Sequence, residues 1–176
     1  ELGFAARSNF FIFAYIGFIL TLSQGFLVRR LIPRLGEYRM GLIGIVLMVI
    51  GLLLIGVAGN SGSYTMLYAV LPISVIGFSA TTPSLQSLLS LNTSDAEQGG
   101  ILGVGQSISA LARILGPLAG IILFKGTKGD LITGSITAPY WVGAGIMLLG
   151  LILMTILKSG STDTESEPEI SSPAET

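Results

Sequence analysis

The chain has 176 residues, of which 51% are hydrophobic and 11% charged, with a mean hydropathy of +0.80 and a formal net charge of −1. Soluble domains carry roughly 25% charged residues, so this composition is that of a membrane protein. With no Cys and no His, disulfides, thiolate chemistry, imidazole metal ligands and histidine proton relays are excluded, and neither a metal nor a cofactor is expected.

No basic n-region, short apolar core and small-residue cleavage site follow one another at the start, so a signal peptide is not expected. The first residue is Glu1 rather than Met, and the chain reads as a fragment. A helix needs about 20 mostly apolar residues to cross the roughly 30 Å hydrocarbon core, so long uncharged runs mark the crossings. Residues 9–28 form one such run, and residues 40–94 form another that the turn-forming "GNSGS" (59–63) divides into two. Residues 98–124 are interrupted only by Arg113, and residues 131–157 carry no charge. Strands end within about eight residues and soluble core helices rarely stay uncharged beyond 18, so the runs read as helices. The expectation is an all-α membrane protein with five transmembrane helices, at about 9–30, 40–58, 64–91, 98–124 and 136–157. Together these make a transmembrane domain over 1–158. Residues 159–176 are rich in Ser, Thr, Glu and Pro, and they read as a disordered acidic tail that buries too little surface to offset its ordering entropy.

Between the first two spans, "GFLVRRLIPRLGEYRMG" gathers Arg29, Arg30, Arg34 and Arg39, four of the nine basic residues. The bias of Lys and Arg sets orientation, so this loop and the tail from Lys158 are expected on the cytoplasmic side, with 59–63 and 125–130 outside.

Polar side chains are costly in lipid unless they face other helices or a wet cavity, and here they are unevenly distributed. The second span has none and the fifth has only Thr155 after its aromatic start, so both read as lipid-facing. The third carries Ser74, Ser79, Thr81, Thr82, Ser84, Gln86, Ser87 and Ser90 beside Pro72 and Pro83. In the fourth, Gln106, Ser109, Arg113, Gly116 and Gly120 recur at spacings that share one helical face. The first ends with Thr21, Ser23 and Gln24. Two readings stay open: an inner set of helices around a pathway, or a tight bundle in which hydroxyl and small residues only pack.

"AYIGFILTLSQGFLVRRLIPRLGEYR" resembles the eighth helix and following loop of the major facilitator superfamily, in its drug-efflux, tetracycline-pump-like branch. Gly25, Arg30, Gly36 and Arg39 look like remains of the signature Gly-x-x-x-Asp-Arg-x-Gly-Arg-Arg, with Arg29 where the family has its acid. "GFSATTPSLQSLLS" (77–90) and "DAEQGGILGVGQSISALARILGPLAG" (95–120) are similar to the tenth helix, a short loop and the eleventh helix. "ARILGPLAG" keeps Gly116, Pro117 and Gly120 of the second-half copy of an antiporter motif, with Ala112 and Ile121 replacing two glycines. The resemblance covers residues 3–158. It implies helices eight to twelve of a twelve-helix fold and a missing N-terminal half as partner.

It further implies a secondary transporter in the plasma (inner) membrane that exports a small amphipathic solute or drug, in exchange for protons, by alternating access. Gln24, Gln86, Gln106, Ser109 and Arg113 are the candidate pathway residues. The alternatives are a non-transporting multipass subunit and a major facilitator importer of a metabolite. An intramembrane enzyme is not expected, because Arg113 is the only ionisable side chain well inside a span. Nucleic-acid binding has no support, since the basic residues are few and lie next to the bilayer.

Overall fold

The computed structural model of the chain describes residues 6–61, 63–126 and 135–164, which are helical almost throughout. In chain order, α1 (Ala6–Leu22) passes through a π-helical turn (Ser23–Val28) into α2 (Arg29–Leu35). Then follow α3 (Glu37–Ser61), α4 (Tyr64–Leu91), α5 (Gln98–Lys125) and α6 (Ala138–Thr164). Five stretches among the described residues are long and apolar enough to cross a membrane: Phe10–Leu35, Glu37–Ser61, Thr65–Leu91, Gln98–Lys125 and Ala138–Ile156. Large apolar side chains such as Ile108, Leu118, Leu149 and Ile156 are exposed along α5 and α6. Hydrocarbon, unlike water, accommodates them at no cost.

The arginine segment is not the loop expected from the sequence. Helix continues through Arg29, Arg30 and Arg34 to Leu35, because Val28, Leu31, Ile32 and Leu35 recur at helical spacing and pack with Met40 and Ala80. Only Gly36 leaves the helical region, at φ 77°, a conformation that L side chains rarely adopt. The chain then re-enters helix at Glu37, whose carboxylate suits the positive end of the α3 dipole. At the opposite end α3 runs on through Gly59, Asn60 and Ser61 of the expected turn, and Ser63, outside the helix, caps α4, its Oγ accepting from Met66 N–H at 3.4 Å.

The second span meets the lipid-facing expectation on one face only: Ile43, Val46, Ile50 and Val57 are exposed, while the opposite face is packed. It is the most enclosed of the five, with Met40, Gly41, Gly44, Ile45, Val49, Gly51, Ile55, Gly56 and Ala58 buried. Gly41, Gly44 and Gly51 lie against Ser84, Thr81 and Gly77, and Ser74 of α4. A Cβ on Gly44 would stand 2.8 Å from Thr81 N and 2.9 Å from the Gly77 carbonyl oxygen, and one on Gly51 would stand 2.7 Å from Ser74 N. The backbones are therefore close enough that only glycine fits. Lack of polar side chains does not identify a lipid face, because close glycine packing is the other apolar way to bind helices in lipid.

The same seam reassigns part of the third span's polarity. Ser79, Thr81 and Ser84 are buried, and Ser79 and Thr81 donate to the Ile76 and Gly77 carbonyls at 2.8 and 2.9 Å. Helix α6 lies on the outer side of α3, with Ala144 buried, Trp141 and Tyr140 against Gly56, and Met154 against Gly41. Its helix runs to Thr164, past Lys158, so residues 159–164 are helical rather than the start of the tail; residues 165–176 lie outside the described residues.

Candidate transport pathway

Helix α5 meets the bundle differently from α3. None of its residues is buried, and it touches only α4 and α6 among the major contacts. Between its first half and α4 lies a cleft of about 460 Å³. Thr81, Thr82, Leu85, Gln86 and Leu89 form the α4 wall; Ile101, Leu102, Gly105, Gln106, Ile108 and Ser109 face them from α5. Gly105 faces Leu89 across the cleft, where an added Cβ would stand 3.4 Å from Leu89 Cδ1, in ordinary contact.

The lining is mostly apolar with a few polar groups, the usual chemistry of a small-molecule site. The hydroxyl protons of Thr81 and Thr82 are taken by the Gly77 and Phe78 carbonyls at 2.9 and 3.2 Å. Gln86, Gln106 and Ser109 have no hydrogen bond among the described residues, so two amides and a hydroxyl are open to a solute or water.

Three of the five candidate pathway residues are thus brought together, and two are not. Gln24 is exposed on the π-helical turn and is not among the residues lining the α4–α5 cleft, while Arg113 is exposed one helical turn beyond Ser109, with no ion pair among the described residues. The glycine motif is likewise bare: Gly116 and Gly120 have no atom within 4 Å of an added Cβ, and Pro117 lies exposed inside α5. Within this chain the expected packing face at Gly116 and Gly120 has no partner among the described residues.

A second hollow of about 410 Å³ lies between the first span and α4, lined by Tyr15, Ser23, Phe26, Pro72 and Ile76 among others. Tyr15 Oη donates to the Tyr68 carbonyl at 3.3 Å and the two rings are 5.6 Å apart, whereas Phe10 and Phe13 face outward. In the loop motif Gly25 is open, Arg29, Arg30 and Arg39 are exposed, and the Arg30 guanidinium stands 5.7 Å from the Phe26 ring centre.

Two features escaped the sequence reading. Ser23 pairs with Ser79, which no spacing within one helix reveals. Glu37 accepts from Ser87 Oγ at 3.5 Å, tying the start of α3 to α4.

The family model of the Major Facilitator Superfamily matches residues 1–176. The chain is 29% identical over 150 residues to the class E tetracycline resistance protein of Escherichia coli, covering 84% of this chain and 34% of that protein. It is 31% identical over 116 residues to the class G tetracycline resistance protein of Vibrio anguillarum, covering 66% of this chain and 28% of that protein. The chain therefore spans about a third of the length of these curated relatives. No solved structure matches. The whole-chain family match, the five membrane-length apolar stretches among the described residues and the tetracycline resistance relatives agree, and the chain belongs to the Major Facilitator Superfamily.

Proposed function

We propose that the chain forms part of the C-terminal half of a secondary transporter that exports a small amphipathic solute in exchange for protons. The observation that carries this reading is the α4–α5 cleft, where Gln86, Gln106 and Ser109 supply unengaged polar groups in an otherwise apolar wall. Such a surface suits a solute with a large apolar body and a few hydrogen-bonding groups. A second half facing this wall would close it into a central site, around which the halves rock.

Arg113 continues from Ser109 toward the far end of α5, where it would meet either an anionic group of the solute or an acid of the other half. No Asp or Glu lies within the apolar runs of this chain, so the proton carrier belongs to residues outside it. The Lys and Arg bias supports a plasma-membrane orientation with the α2 arginines and the end of α6 in the cytoplasm.

Tetracycline, the drug in the names of both relatives, is the first probe. Everted membrane vesicles containing the intact transporter should accumulate it when an inward-acid pH gradient is imposed and release it when the gradient is collapsed. Gradient-independent equilibration would sink proton exchange, and lack of accumulation across a panel of amphipathic drugs would sink export.

A further inference from the structure

Helix α2 has two unlike faces. Leu31, Ile32 and Leu35 turn inward onto Val28, Met40 and Ala80, while Arg29, Arg30 and Arg34 are exposed, with Arg39 exposed just beyond Gly36. None of these four guanidiniums has an ion-pair partner among the described residues, and Glu37 beside them is engaged by Ser87. Like charges this close repel one another, so the face favours a negatively charged partner.

Helix α6, itself balanced by Lys158 and Asp163, leads an acidic segment out at the same end of the bundle. Tyr38 Oη donates to the Met154 carbonyl at 3.4 Å, and a Cβ on Gly41 would stand 3.1 Å from Met154 Cε. Helix α6 thus passes the start of α3 at Met154 and continues to Thr164, about 15 Å further at 1.5 Å per residue. From there the sequence "DTESEPEISSPAET" carries Asp163, Glu165, Glu167, Glu169 and Glu175. At about 3.3 Å per extended residue, the five residues from Thr164 to Glu169 reach up to roughly 16 Å, shared between return along the bundle and the crossing from α6 to α2.

The charge spacings also match. Carboxylates two residues apart on an extended chain recur about every 6–7 Å, and Arg30 and Arg34 are one helical turn apart, about 6 Å along the axis. Pro168, between Glu167 and Glu169, favours extended over helical backbone.

We propose that the acidic segment after α6 docks on the arginine face of α2, Glu167 and Glu169 pairing with Arg30 and Arg34, as an electrostatic clasp between the outermost helix and the first span. The packing of α3 with α6 places both ends on one side whichever side of the membrane that is, so the clasp depends neither on the orientation nor on the solute.

The test uses the intact protein, with Pro33→Cys and Pro168→Cys introduced together, reconstituted in phosphatidylcholine vesicles and exposed to a mild oxidant. A disulfide between the two introduced thiols, identified by peptide mass, is expected at low salt. Its yield should fall severalfold at about 1 M salt, where the screening length is about 3 Å. A comparable fall is expected when Glu165, Glu167 and Glu169 are all changed to Gln, with thermal stability unchanged. Equal yield with and without the three carboxylates, or no disulfide in neutral lipid, overturns the clasp. Survival of the disulfide in phosphatidylglycerol vesicles supports it, and loss there assigns the arginine face to anionic lipid headgroups instead.

Discussion

Ser23 Oγ and Ser79 Oγ lie 2.5 Å apart, both residues buried, and join the π-helical turn of the first span to the middle of α4. Ser79 gives its own proton to the Ile76 carbonyl at 2.8 Å, so Ser23 is the donor across the helices. π-Helical turns widen the helix locally and recur at functional positions, and here the turn sets the register of Ser23 against α4.

Ser23→Ala and Ser79→Ala should therefore each lower stability by about 0.5–2 kcal/mol, the range for interhelical hydrogen bonds in membranes. The double variant should lose little more than the worse single. Denaturation of the purified intact protein in detergent measures this, and fully additive losses would deny the coupling.

The glycine seam makes a contrast between helices. Gly44→Leu and Gly51→Leu drive a side chain into the α4 backbone and should abolish stable folding, whereas Gly116→Leu meets open space within this chain. Melting temperature and yield of monodisperse protein should rank the seam variants well below Gly116→Leu. The opposite ranking would mean that α5, not α3, carries the tight packing.

Orientation is testable because the chain has no cysteine. With Arg34→Cys or Asn60→Cys as the introduced thiol, an impermeant maleimide added to intact cells should label position 60 and spare position 34. Labelling of both from outside would refute the assignment.

Arg113 is exposed within a span, and an arginine near a helix centre costs roughly 2.5–3.5 kcal/mol on insertion scales unless water or a partner meets it. Arg113→Lys and Arg113→Gln should both fold, with Lys keeping more transport than Gln. Full activity in both would remove Arg113 from the pathway.

The helices and their order were legible in the sequence because charge is so unfavourable in hydrocarbon that uncharged runs coincide with crossings. Packing was less legible. The α3 seam depends on glycines at 41, 44 and 51, which nothing in the sequence separates from Gly116 and Gly120, where an added Cβ meets no atom within 4 Å. The polar residues of α4 divide between a buried seam, with Ser79 and Ser84, and an open cleft, with Thr82 and Gln86, and the division depends on which neighbour each meets. The arginines of α2 read as a loop because their charge masked the apolar stripe of Val28, Leu31, Ile32 and Leu35 on the same helix.

The central claim is that the α4–α5 cleft is a wet pathway wall while α6 faces lipid. In the intact protein, Gln86→Cys, Gln106→Cys and Ser109→Cys are compared one at a time with Ile146→Cys and Leu149→Cys on the exposed face of α6. A small water-soluble maleimide should modify the cleft thiols at least about ten times faster, because the reactive thiolate is suppressed in apolar surroundings. Transported solute should slow the reaction at positions 86, 106 and 109 only. Equal rates at the two sets of positions would contradict the pathway.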